Sequence, residues 1–429
     1  MKRPIYIFSL VVLFIVQFNI AQQTPAPKQN KTISIVGATA HIGNGKIIEN
    51  SVIVFENGII TQIGQASNIS GKGEIIDAKS KHVYPGFIIP NSTLGLGEID
   101  AVRATRDFDE VGGMLPHIRS LVAYNAESKV TESMRPNGVL IGQIAPRGGT
   151  ISGTSSIVQF DAWNWEDAAI KVDDGVHINW PNDLKWDRKT QRIEPNKKYN
   201  EQVNKIQNYF SQANTYDIKS NKSKNNEFEA MKNLFTGKQN LYVNARSEKQ
   251  IIDAIDFVKE FGIKNMVLVH GDEAYKVSTL LKQNNIPVIL NRVHSLPNSD
   301  DDDYDLPYKS ASLLTKSGVI VALEANGGME RMNSRNLPFY AGTVSGHGLT
   351  DEEALQLITI NPAKILGIDN KYGSLEVGKS ATLFISEGNA LDMRTNILSR
   401  AFIDGRDISL ETHQTKLWKR YVTKYSSQK

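Results

Sequence analysis

The sequence predicts an α/β fold, and two observations carry that prediction. Between Leu241 and Leu323, apolar runs of strand length alternate with segments whose apolar residues recur at helical spacing, the pattern of parallel βα units. Toward both ends the chain turns to short β-rich runs punctuated by Gly and Asn-Gly, the pattern of a smaller sheet. Right-handed crossovers between parallel strands leave a closed barrel or an open sheet for the centre.

In chain order, Met1 to about Ala21 places Lys2 and Arg3 ahead of an apolar run from Ile5 to Ile20. The run is short for a membrane span and no stop-transfer cluster follows it, which predicts a signal peptide over 1–21. A retained signal anchor is the alternative, because Asn19 is a poor residue three places before a cleavage point. Export to the periplasm or the medium is therefore expected, without membrane contact after cleavage. Residues 22–31 form a polar, Pro-containing linker. Strand-like runs follow at 33–36, 51–55 and 59–64, and Asn57-Gly58 between the last two is a hairpin signal.

Leu241–Asn244 reads as a strand, and Ser247-Glu248-Lys249-Gln250 has capping-box spacing ahead of a helix that Gly262 ends. The strand Met266–His270, a helix from Glu273 to about Gln283, the strand Ile286–Leu290, a helix near Lys309–Ser317 and the strand Val319–Leu323 continue the alternation. A further helix begins at Thr350, which caps three acids, Asp351, Glu352 and Glu353. The stretch from Glu98 to Lys238 is less regular. Val139–Ala145 and Ser156–Phe160 read as strands within it, and 185–238 is a polar insertion rich in Asn, Lys and Gln, expected to form surface helices with a solvated face.

The chain has 429 residues, 40% hydrophobic and 22% charged, with a net charge of +3. Removal of Lys2 and Arg3 would bring that charge to +1, which gives no electrostatic reason for nucleic-acid binding. With no cysteine, disulfides, thiolate metal sites and a cysteine nucleophile are excluded. Asp300–Asp303 with Asp305 lacks the spaced carboxylates and turn glycine of a calcium loop. Ser152-Gly153-Thr154-Ser155 lacks the glycine-flanked elbow of a serine hydrolase. Arg147-Gly148-Gly149-Thr150 reads as a tight turn or a nest for an anion.

Several passages carry a resemblance: Val83-Tyr84-Pro85-Gly86-Phe87 running into Ile88–Leu96, Arg335-Asn336-Leu337-Pro338, Leu349–Leu355 with Thr359–Gly367, and Gly373-Ser374-Leu375-Glu376-Val377-Gly378-Lys379. Together they resemble the amidohydrolase superfamily, and within it exported imidazolonepropionase-like proteins, over nearly the whole mature chain. The resemblance implies a distorted TIM (β/α)8 barrel over 87–371, a small β-sandwich from 32–86 plus 372–408, and a C-terminal tail over 409–429. It also implies hydrolysis of C–N bonds other than peptide bonds, of cyclic amide or imide type, at a zinc site on the C-terminal ends of the strands.

Against the family pattern, the paired histidines of the first barrel strand fall on Asn91 and Thr93. A further histidine position falls on Asn244 and the last-strand aspartate on Asn326. His270 is the one imidazole left at a strand end, a structural histidine or a metal ligand. Glu324, two residues before Asn326 and on the same strand face, is the candidate substitute carboxylate. His117 and His294 are the other histidines nearest such ends. Two functions are thus open: a hydrolase with a rebuilt zinc site, or a catalytically silent barrel that binds a small molecule. The silent barrel would act alone, as a homo-oligomer, or paired with an active amidohydrolase paralogue.

Overall fold

The structure, a computed structural model, describes residues 24–216 and 223–426; the expected signal peptide lies outside the described residues. β1 (Ile33–His41) is flanked by β2 (Ile47–Glu56), which continues through a hairpin into β3 (Ile59–Gln65). β4 (Glu74–Asp77) and β5 (His82–Pro85) run parallel to β1. Asn57 and Gly58 turn the hairpin with φ of 52° and 81°, the left-handed pair that a two-residue turn between twisted strands requires.

The barrel opens with β6 (Phe87–Ser92), β7 (Val139–Ile144), β8 (Ile151–Gln159) and β9 (Ala169–Asn179). β7 is parallel to β6, but β8 is antiparallel to both β7 and β9. The strand expected over 156–160 thus starts at Ile151 and runs against its neighbours. Only six residues separate β7 from β8, whereas a parallel crossover needs a dozen or more. Gly148 and Gly149, at φ 82° and 60°, make the reverse turn instead, so a meander replaces one βα unit.

A hairpin of β10 (Leu184–Asp187) and β11 (Arg192–Pro195) begins the polar insertion. The helices Tyr199–Thr215 and Asn226–Thr236 follow and turn their polar faces outward. Their inner faces bury Ile206, Phe210, Met231 and Leu234. Phe210 meets Phe257 of the next helix edge-on, with ring centroids 4.9 Å apart.

β12 (Asn240–Ala245), β13 (Met266–His270), β14 (Val288–Leu290) and β15 (Val321–Leu323) continue the sheet in parallel. The capping box expected at Ser247 forms: its hydroxyl accepts from the Gln250 N–H while the Gln250 side chain returns to Ser247 N–H. Such a cap contributes about 1 kcal/mol. The helix expected from Glu273 tightens into a 3-10 turn, Ala274–Val277, ahead of a short helix Ser278–Gln283.

Leu323 N–H donates to the Leu357 carbonyl at 3.1 Å and Ile88 N–H to that of Ile358 at 2.9 Å. Leu357-Ile358 therefore bridges the gap between β15 and β6 and closes the barrel. Ile88, Ile141, Ile157, Tyr242, Val267, Val269, Ile289 and Ala322 fill its interior over a floor that includes Ala363, Ile365 and Leu366.

β16 (Leu383–Ser386), β17 (Leu398–Ile403) and β18 (Arg406–Ile408) return to the first sheet, where β16 pairs with β5. Ile60 and Gly378–Lys379 exchange backbone hydrogen bonds of 2.9 Å, which draw the β3 edge toward the far-end strands. Both chain ends thus build one sheet around Ile35, Ile53, Phe55, Leu383 and Phe402.

Candidate functional site

The site is built from the ends of β6, β13 and β15. β6 loses its regular pairing with β7 between Ile89 and Ser92. In that break Asn91 takes φ 47°, a left-handed conformation that Asn tolerates better than most residues. His270, the last residue of β13, takes φ 73°. For an imidazole-bearing residue this is a strained conformation of the kind held in place at functional positions.

Both strained residues reach the same group. The Asn91 amide nitrogen donates to Glu324 Oε2, and His270 Nδ1 lies 2.7 Å from Glu324 Oε1. Glu324 is fully buried just past β15, so each carboxylate oxygen is matched by one donor, the condition for burying an ionised group. Asn326 Nδ2 lies 3.2 Å from the same His270 Nδ1. A nitrogen that donates its proton to a carboxylate cannot also accept one, so we take the shorter carboxylate contact as the bond and turn the Asn326 amide oxygen toward the ring. His270 Nδ1 then carries the proton. Nε2 has no partner among the described residues and is not shut away from solvent.

Arg147, which the sequence places in a tight turn or an anion nest, completes the cluster. Its guanidinium donates to Asn91 Oδ1 at 2.9 Å, to the Asn91 carbonyl at 2.7 Å and to Glu330 Oε2 at 3.2 Å. Asn91 N–H donates to Gln143 Oε1 at 2.9 Å, so every polar group of Asn91 is engaged. Glu330 Oε1 accepts from the Thr93 N–H at 2.7 Å and its hydroxyl at 3.1 Å, and Arg331 Nη1 donates to that hydroxyl at 3.1 Å.

The remaining expected positions separate. Asn244 does not reach Glu324; its amide donates to the Ile178 carbonyl at 3.1 Å and ties β12 to β9. His294 bonds Thr343 Oγ1 at 2.7 Å and sits edge-on to Tyr340, and burial lowers its pKa. His117 leaves Nδ1 buried without a partner, and no hydrogen bond joins it to the cluster.

Beneath the mouth lies a buried polar layer that sequence reasoning missed. Asp174 accepts from Ser155 at 2.7 Å, Tyr242 OH at 2.6 Å and Gln143 Nε2 at 3.0 Å. His177 Nε2 is 2.9 Å from Ser155 Oγ, and its ring stacks on Tyr242 at 4.5 Å. Burial raises the pKa of Asp174 against the pull of these donors. It holds that of His177 well below the usual histidine value, with the charges of Arg147 and His270 adding to the effect. Gln143 links this layer to Asn91, so the floor of the site is a hydrogen-bonded plate. Beside the mouth, a cleft of about 630 Å3 is lined by Asn179, Trp180, Trp186, Lys185 and Lys205.

An eight-stranded barrel with polar side chains gathered at the C-terminal ends of its strands holds them where barrel enzymes build their active sites. Residues 222–408 are similar to the amidohydrolase family, a match that spans less than half of the chain. An amidohydrolase from Thermotoga maritima superposes with a TM-score of 0.77 at 25% identity, over 88% of this chain and 99% of that one. The imidazolonepropionase of Flavobacterium psychrophilum is 30% identical over 110 residues, 24% of this chain and 27% of that protein. That of Syntrophobacter fumaroxidans is 34% identical over 84 residues, 19% of this chain and 20% of that protein. The matched stretches thus span about a quarter of these curated relatives or less.

Zinc, which the superfamily implies, needs about three lone-pair donors converging on one point. Glu324 and His270 are the two ligand types at the centre, and they bond each other. Asn91 turns N–H toward Glu324, and the Arg147 cation sits on its oxygen. Among the described residues no group of three His, Asp or Glu could hold an ion. The residues present do not fit zinc.

Proposed function

We propose that the chain binds a small polar molecule at the barrel mouth without zinc, on the scaffold of a C–N hydrolase. The observation that carries this reading is the closed set of bonds among Asn91, Glu324, His270 and Arg147. Glu324 and Asn91 are committed to other protein groups, which leaves His270 Nε2 as the one open ligand atom of the cluster, too few for zinc. The cleft offers the exposed Trp186 indole with Lys185 and Lys205, a lining that suits a planar amide or imide bearing a carboxylate. The experiment is metal analysis of purified protein, with thermal-shift measurements against cyclic amides and imides with and without a carboxylate arm. Metal-free protein stabilised by the carboxylate-bearing compounds supports the reading; stoichiometric zinc overturns it.

A second reading, hydrolysis of such a C–N bond, is favoured by the free Nε2 of His270. An imidazole oriented through Nδ1–H by a buried carboxylate, with Nε2 open, has the arrangement of a general base. Water would lose its proton to Nε2 while its oxygen adds to the carbonyl carbon. The C–N bond would then break as the proton passes to the leaving nitrogen. Chelator-insensitive turnover that His270→Asn abolishes would select this reading.

A further inference from the structure

The helix His413–Ser426 at the C-terminal end buries none of its residues. Trp418, Tyr421, Val422 and Tyr425 are 64%, 47%, 42% and 58% exposed. Their spacing places them on one face of a helix. Lys416, Lys419, Arg420 and Lys424 occupy the flanks and the opposite face, and the helix contains no acid. Its four positive charges exceed the +3 of the whole chain, so the rest of the chain is net negative by one.

The start of the helix is fixed to the barrel. Thr412 is buried, its hydroxyl accepts from the Thr415 N–H at 3.1 Å, and His413 N–H donates to Glu132 Oε1 at 2.6 Å. Beyond that anchor, Glu411 pairs with Lys416 and Lys419 and Leu417 is partly buried, while the Trp418, Tyr421 and Tyr425 face stays exposed among the described residues. A helix of 14 residues with so little packing is marginal in water, and a contiguous aromatic stripe on an otherwise polar surface marks an interaction site.

We propose that this helix lies on an anionic lipid surface, with Trp418, Tyr421 and Tyr425 in the headgroup region and the lysines and arginine toward the phosphates. Three observations select that occupant. Trp and Tyr rings, apolar with one polar atom, favour the boundary between hydrocarbon and water. Basic residues around an aromatic stripe are the pattern of a helix lying in that boundary. A second copy of the helix laid against the first would set four positive charges against four.

The test uses the full chain with large unilamellar vesicles of phosphatidylglycerol or phosphatidylcholine at low salt, read by co-sedimentation and far-ultraviolet circular dichroism. The protein should sediment with phosphatidylglycerol and stay in solution with phosphatidylcholine. The exposed triple substitution W418A/Y421A/Y425A should cut partitioning at least tenfold, and K416Q and K419Q about fivefold each. Because these side chains are exposed, the spectrum of the barrel should not change. Absence of sedimentation with phosphatidylglycerol, or undiminished sedimentation of the triple variant, overturns the proposal. So does a self-associated form that the triple variant dissolves in the absence of lipid, which would assign the face to a second copy.

Discussion

Asn91 and Glu324, 233 residues apart in the chain, are joined across the barrel mouth by a hydrogen bond from the Asn91 amide to Oε2. The same carboxylate holds His270 through its other oxygen. Three strands of the barrel therefore meet at one buried carboxyl group, and two of the three side chains sit on left-handed backbone. That strain persists because the surrounding bonds over-determine both positions.

Glu324→Gln keeps the size of the side chain and removes its charge. The new amide oxygen can accept from Asn91 Nδ2, but its N–H then faces His270 Nδ1, which must either give up its bond or move its proton to Nε2. We expect a stability loss of about 2 kcal/mol, the scale for hydrogen bonds to a charged group, read by urea denaturation. Ligand affinity should fall at least tenfold, and an unchanged affinity would remove the cluster from the binding site.

Restoring the family histidines as N91H/T93H should not restore a metal site. A histidine at position 91 inherits φ 47° and the Arg147 guanidinium, whose positive charge opposes an ion at the same point. Removal of the Thr93 hydroxyl leaves Arg331 Nη1 without that acceptor. The double variant should lose about 2 kcal/mol and stay zinc-free by metal analysis. Stoichiometric zinc in it would show that Arg147 does not govern the site.

The alternation from Leu241 to Leu323 and the two β-rich ends were legible because each rests on local periodicity. So was the capping box at Ser247, whose two partners are three residues apart. The reversal of β8 was not, because it depends on how far six residues can carry the chain between strands. Asn91, His270, Glu324 and Asn326 were visible as strand ends, but that Asn91 and His270 both bond Glu324 while Asn244 faces β9 depends on barrel geometry. Arg147 and the layer of Ser155, Asp174 and His177 carry no local signal. A serine, an acid and a histidine in strand-like sequence become a network only when β8 and β9 pair.

His177 predicts a pH dependence. Its pKa in the folded state lies well below the usual 6.5, so below pH 6.5 the unfolded chain takes up a proton that the folded state does not. Stability then falls as pH drops from about 6.5, with a slope of up to about 1.4 kcal/mol per pH unit from this group. His177→Gln should be less stable at pH 7, because the stacked ring is lost, yet its stability should fall less steeply between pH 6.5 and 5. Parallel curves for the two proteins would mean that His177 titrates normally.

Tyr242 tests the link between the buried layer and the mouth. Its hydroxyl donates to Asp174 at 2.6 Å and accepts from Asn240 at 3.0 Å. Tyr242→Phe removes the donor and keeps the ring that stacks on His177. At neutral pH we expect a loss of about 1.5–3 kcal/mol, since a buried carboxylate is deprived of one of its hydrogen bonds. Burial already holds the Asp174 pKa above 3.8. Between 3.8 and its folded pKa the native state binds a proton that the unfolded chain lacks, so this group favours folding as pH falls through that window. Without the tyrosine donor the folded pKa should rise further, so the deficit of Tyr242→Phe should shrink on acidification. In the Asp174→Asn background the same substitution should be nearly neutral, a coupling of at least about 1 kcal/mol in a double-mutant cycle. Gln143 bonds both Asp174 and Asn91, so Tyr242→Phe should also weaken ligand binding by a few-fold, and intact affinity would show that the two layers act independently.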